Sequence, residues 1–284
     1  MMVNPKKSKN PLSRMNLRQK TLLTIGLTVL ILVLVVISSL FINAGDITTN
    51  FQAMNKPPSF EHLFGTDWMG RDMFTRTVKG LGLSVQIGAG ASILSSLIAI
   101  AMALMGSINK YLDSLMSWLI DLFLSIPHIL LIILISIGLG GGAFGVTIGV
   151  AVTHWTSLAR VLRAEIKQIQ TSDYVKLSER FGKSKLWIAR RHILPLVVTQ
   201  IIVGTILIFP HAIMHEASVT FLGFGLSPHE PAIGIILSES MKYLATGNWW
   251  LALFPGLALL ILVLLFDIAG ENIKKILDPT SANE

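Results

Sequence analysis

Among the ionisable side chains that stand within largely apolar stretches are Asp121, His211, His215 and Glu216. A charge surrounded by hydrocarbon is costly, so each is a functional hypothesis by default. His211, His215 and Glu216 fall close together on any helix that carries them. Such a group suits a proton relay or a ligand site, and a helix end emerging into an aqueous cavity accounts for it equally. Asp121 lies one to two turns before Pro127. It either serves a pathway or reaches the interface from a helix end. Catalysis finds no support: there is no GxSxG, no HExxH and no paired carboxylate suited to hydrolysis. With no cysteine, thiolate metal sites, disulfides and cysteine nucleophiles are excluded, and no metal site is expected in this chain. The absence of a GxxxxGK[ST] loop means that any ATP used with this chain binds, with its Mg, to a separate subunit.

A second constellation is the basic stretch from Asp173 to Pro195. Ser172 or Asp173 can cap a short helix, and Gly182 can close it in the left-handed conformation. On that helix Tyr174, Leu177 and Phe181 share one face, while Lys176, Glu179 and Arg180 point elsewhere. Two turns do not hold together alone in water, so packing must support them. An apolar stripe of this kind suits a groove in a partner subunit.

The elements that position these residues are membrane spans. Of 284 residues, 52% are hydrophobic and 14% charged, and the mean hydropathy is +0.67; these values place the chain among integral membrane proteins. The net charge of +7 has an explanation in topology rather than in nucleic acid, which is not expected as a partner. Residues 1–20 form a basic tail, and 21–42 a first span whose uncharged run is too long for a signal-peptide core. Residues 43–80 form a polar loop in which Thr66, Asp67 and Asp72 are good caps and Gly70 permits a tight turn. Residues 81–275 make a core of five further spans, with the loop 159–195 between the fourth and fifth and a tail at 276–284. Within that core the spans run over about 81–108, 114–138, 143–158, 196–215 and 249–268, the third kinked by Pro127 and the fifth interrupted by Pro210. Gly140-Gly-Gly142 separates the third from the fourth.

With both termini inside, 18 Lys and Arg fall on the cytoplasmic side and 5 on the other. That bias predicts an all-α, six-helix, N-in/C-in protein and puts the 159–195 loop in the cytoplasm.

These residues resemble the permeases of ABC importers. Gly182 followed by Leu194-Pro195 is similar to the EAA loop that docks on the ATPase subunits, although Lys176, Leu177 and Ser178 replace the acid and alanines that name it. More narrowly, Gly65-Thr-Asp-x-x-Gly-Arg-Asp72, Asp121 with Ser125-Ile-Pro127, Asp173-Tyr-Val175, Arg191-His-Ile-Leu-Pro195, Glu216 with Phe221-Leu-Gly-Phe-Gly225, and Asp278-Pro279 look like the second permease subunit of the peptide/nickel branch. Ser227-Pro-His-Glu-Pro-Ala-Ile-Gly234 leans toward its nickel and metallophore members. The resemblance implies a type I importer architecture in a prokaryotic plasma membrane. It also implies a second homologous permease, two ATPases that bind ATP and Mg, and an external substrate-binding protein. Tyr174, Val175, Leu177, Ser178, Glu179, Phe181, Gly182, Leu194 and Pro195 become the expected ATPase-coupling residues. Asp121, His211, His215 and Glu216 become candidates for the pathway. The rival reading is a secondary transporter driven by an ion gradient, which predicts inverted repeats and several mid-span charges.

Overall fold

The computed structural model describes residues 17–277; the rest of the basic tail, and Asp278-Pro279 with the tail that follows, lie outside the described residues. Those described are helical apart from loops and one isolated bridge between Thr66 and Asp72. The helices are α1 (Leu17–Phe41), α2 (Met73–Gly106), α3 (Lys110–Ser125), α4 (His128–Gly138), α5 (Gly142–Gln170), α6 (Asp173–Arg180), α7 (Lys185–Ile188), α8 (Leu194–Phe221), α9 (Ile233–Leu244) and α10 (Trp250–Leu277). Ala189–Ile193, between α7 and α8, is a π-helical segment.

Four helical stretches are long and apolar enough to cross a membrane: 19–41, 73–106, 185–221 and 250–275. The α3–α4 pair supplies a fifth if it counts as one span. α5 carries Arg160, Arg163, Glu165 and Lys167 and does not qualify on apolarity, although it packs against α2, α4 and α8.

Small residues explain the central packing. α2 buries Gly80, Gly82, Ser84, Gly88, Ala91, Ser92, Ser95, Ala99 and Ala103 along its length. Its backbone therefore comes close to its neighbours, the usual solution where hydrocarbon offers no hydrophobic drive for helix association. At 34 residues it is about 51 Å long, well beyond the ~30 Å of a hydrocarbon core. Its start explains the excess: the helix begins at Met73 rather than near 81, because Asp72 Oδ1 accepts from Thr75 N at 2.8 Å and caps it. Asp72 is also braced by His62 Nδ1 at 2.9 Å.

The loop before α2 is an ordered structure built around a buried carboxylate. Asp67 Oδ1 accepts from the backbone N–H groups of Met69 and Arg71 at 2.8 and 2.9 Å. Its Oδ2 meets Arg71 Nε at 2.7 Å and Arg76 Nη1 at 2.6 Å. The same two arginines reach Glu239 on α9, at 3.2 and 2.9 Å. Gly70 takes φ +74°, and a Cβ there would overlap the Asn50 carbonyl oxygen, so the turn expected there exists and accepts no side chain.

Three expectations about the spans are corrected. The third is a break rather than a kink: α3 and α4 meet at 96°, since Pro127 has no N–H to continue the ladder and Ile126 before it is extended at φ −94°, ψ 135°. The fourth does not end at 158, because its buried stripe continues through Leu162, Ile166 and Ile169 while Arg163 and Lys167 both pair with Asp113 of α3. The loop expected over 159–195 is thereby shortened, with residues 159–170 helical. The fifth is not interrupted at Pro210: α8 runs on to Phe221 with the proline buried inside it, as neighbouring helices in a bundle allow.

Candidate coupling surface and intramembrane polar wall

One residue of α6 is buried in the bundle. Val175 is 1% exposed and packs in the cluster that contains Ile166, Ile169, Ile188 and Ile193. The opposite side presents Tyr174, Leu177 and Phe181 at 46%, 53% and 74% exposure, with Leu186 of α7 nearby in sequence at 80%. The short helix is thus a platform: a buried valine below, an uncovered apolar face above. Its start is not capped as the residues suggested. Ser172 Oγ donates to the Ile169 carbonyl at 2.5 Å, closing the end of α5 instead, and Asp173 faces solvent. Its end follows the expected pattern: Gly182 has φ +70°, Gly182 N donates to Glu179 O and Lys183 N to Ser178 O.

Ser178 links this helix to the next segment. Its hydroxyl donates to the Tyr174 carbonyl at 2.9 Å and accepts from His192 Nε2 at 3.0 Å. His192 lies in the π segment, edge-on to both Tyr174 and Trp187. Leu194 and Pro195 open α8, the proline sitting where a missing N–H costs nothing. Glu179 lines a separate cavity of about 570 Å³ together with Asp113, Arg163, Lys167 and Lys185.

The four intramembrane candidates do not form one site. Glu216 is fully buried; Ser84 Oγ of α2 donates to it at 2.6 Å and Thr220 Oγ1 at 3.1 Å. Thr220 Oγ1 in turn accepts from Leu226 N at 3.3 Å, so the carboxyl group anchors the loop after α8. Asp121 is exposed and stands 4.0 Å from Arg160, itself exposed. His211 is exposed on α8. His215, one turn on, joins two histidines that sequence reasoning passed over.

These are His128, the first residue of α4, and His154, in the middle of α5. Ring centroids are 4.8 Å apart for His128 and His154, 4.9 Å for His154 and His215, and 6.0 Å for His128 and His215. His154 Nδ1 lies 3.0 Å from the Val150 carbonyl. A carbonyl only accepts, so Nδ1 carries the proton and Nε2 of the neutral ring is bare. The three positions are remote in sequence, and only the break at Pro127 brings His128 to the other two. The signal available beforehand was their placement: each is a polar ring within a span.

Around the triad, the uncovered faces of α3, α5 and α8 carry Asp121, Ser125, Ser157, Arg160 and His211. Polar side chains on the outer surface of membrane helices are costly against lipid and normally face protein or water. The same helices also expose Leu122, Leu124, Val161 and Met214, so the polar groups form one strip of the uncovered surface.

A family model described as "Binding-protein-dependent transport system inner membrane component" matches residues 95–280. The chain is 32% identical over 275 residues to a putative peptide transport system permease protein of Brucella suis biovar 1 (strain 1330), covering 96% of this chain and 93% of that one. It is 31% identical over 268 residues to the oligopeptide transport system permease protein OppC of Bacillus subtilis (strain 168), covering 92% and 87%. Among solved structures it resembles an inward-facing form of the MetNI methionine ABC transporter, with a TM-score of 0.59 at 19% identity over 72% of this chain and 98% of that one. The lean of residues 227–234 toward metal chelates finds no support in these relatives, whose names speak of peptides. The structure gives that stretch local work instead: Glu230 Oε2 accepts from Ser227 N at 3.2 Å, and Gly234 lies where any Cβ would strike the Ala217 carbonyl. Nor is an ion-gradient transporter favoured.

Proposed function

The chain belongs to the family of binding-protein-dependent transport system inner membrane components, a multi-pass permease subunit of an ABC importer in the prokaryotic plasma membrane, and from that premise we propose that it passes short peptides into the cell. The observation that carries the coupling part is the uncovered face of α6, with Tyr174, Leu177 and Phe181 outward and Val175 inward. A face so built is complete only against a partner, and the chain has no phosphate loop of its own. Two ATPase subunits, binding ATP and Mg, supply the partner.

The rest of the assembly follows the same logic. Counting α1, α2, the α3–α4 pair, α5, α8 and α10 as crossings gives six, with both termini in the cytoplasm and α6 on that side. A second homologous permease covers the polar wall of α3, α5 and α8, and the substrate route runs between the two. An external binding protein delivers the peptide to the opposite end, where the Asp67–Arg76–Glu239 network stiffens the surface. When the ATPases close on ATP, α6 and α7 move with them, and the π segment carries that movement into α8 and so to His215.

Leu177→Asp places a charge in the docking face without touching the buried side. It is expected to abolish co-purification of the ATPases while the permease pair stays intact, and to stop uptake of a radiolabelled dipeptide by cells carrying the system. Undiminished assembly would remove the coupling role from α6; uptake of no peptide by the unaltered importer would remove the substrate class.

A further inference from the structure

We infer that His128, His154 and His215 form an anion-binding point on the substrate route, taking the C-terminal carboxylate of a peptide as it passes. This rests on the peptide reading given above. The argument starts from what the cluster lacks. Several basic groups of this bundle have acids beside them: Arg71 and Arg76 have Asp67 and Glu239, Arg163 and Lys167 have Asp113, and the exposed Arg160 has Asp121; the part-buried Lys79 and His192 have neutral oxygens instead, the carbonyls of Ser39 and Ile42 and the hydroxyl of Ser178. The three rings meet from three helices within 4.8–6.0 Å, and no carboxylate among the described residues bonds to any of them. Glu216, the acid next in sequence to His215, turns away to Ser84 and Thr220.

Imidazoles packed together resist holding more than one charge between them, unless an anion joins them. An arriving carboxylate removes that resistance, and each protonated ring then offers it a charge-assisted N–H donor. His154 is already set for this: with Nδ1 on the Val150 carbonyl, its Nε2 is the atom left for the ligand or for a second proton. His128 and His215 are half-exposed and stand on the rim of the polar wall, reachable from the route. A peptide travels as a zwitterion, and its carboxylate is the group that loses most on leaving water. A point of imidazoles midway offsets that loss, yet remains weak enough to release the peptide, as a conduit requires.

The test uses the complete importer in proteoliposomes, with its binding protein saturated by a radiolabelled dipeptide. The double variant His128→Leu/His215→Leu is expected to lower turnover about tenfold, the factor that goes with losing roughly one charge-assisted hydrogen bond, while the concentration of binding protein needed for half-maximal rate stays unchanged. His128→Leu/His215→Lys restores a cation but not the packing, and is expected to recover most of the rate. Should the double variant not assemble, the single variants are read in the same way. Unchanged turnover in assembled protein, or failure of the lysine to rescue, overturns the anion point and leaves the peptide reading standing. If the unaltered importer moves no peptide, both fall together.

Discussion

Arg76→Met tests the outer network where it is most tightly drawn. Arg76 is 3% exposed and Asp67 2%, and they meet at 2.6 Å. Methionine keeps most of the side-chain length, so the loss is mainly the guanidinium. Asp67 then retains Arg71 Nε at 2.7 Å and two backbone N–H donors, while Glu239 retains only the 3.2 Å contact to Arg71. Breaking a buried pair outright costs about 3–5 kcal/mol; with Asp67 still paired, the expected cost is about 2–3 kcal/mol, in the range for a hydrogen bond between charged groups. Arg71→Met, at a more exposed position, is expected to cost about 1 kcal/mol less than Arg76→Met. The double variant strands Asp67 and is expected to exceed the sum of the singles by about 1–2 kcal/mol. Trp68 lies beside this network, with the Arg71 guanidinium 5.8 Å from its ring, so its fluorescence reports unfolding in detergent at a fixed scan rate. A stability for Arg76→Met within about 0.5 kcal/mol of the parent, together with strict additivity, would refute the claim that this network holds the loop to α9.

Two further outcomes follow from single positions. Gly70→Ala forces a Cβ onto the Asn50 carbonyl at φ +74°, and is expected to cost upwards of about 1–2 kcal/mol and to speed proteolysis within residues 43–72; a cleavage rate equal to the parent's would count against the ordered loop. Val175→Ala removes two buried methyl groups, about 1.6 kcal/mol of transfer free energy plus a cavity term, and is expected to accelerate hydrogen exchange across residues 173–182, whereas Leu177→Ala in isolated permease leaves it nearly unchanged. Equal acceleration by both would mean that α6 has no preferred buried side.

Much of the frame was legible from residue spacing, because the cues were local. Gly182 closes α6 as its freedom at positive φ requires, and Asp72 caps α2 by a contact three residues long. The errors arose where a competing contact, local or distant, overrode the cue. Ser172 had the right chemistry for a cap, but the Ile169 carbonyl was nearer. Residues 159–170 looked too basic for a span, until Asp113 supplied the counter-charge. Pro210 stays within its helix because the surrounding bundle covers it. The candidate site was the least legible part. His211, His215 and Glu216 read as one group, yet neighbouring positions on a helix point about 100° apart, and so Glu216 went to α2 while His215 met rings from α4 and α5. No pattern in one segment announces a meeting of three.

The π segment at Ala189–Ile193 has a consequence for how this permease family can change. A π turn is an α-helix that has gained a residue. Five π residues turn the chain by about as much as four α residues, roughly 400°, so deleting one residue there would restore α geometry and leave the direction of everything before it nearly unchanged. Tyr174, Leu177 and Phe181 would keep their aim. The π turn thus lets the chain carry one extra residue between α6 and α8 without re-aiming that face, whereas a residue gained or lost in the regular α turns of 194–221 would swing it by about 100°.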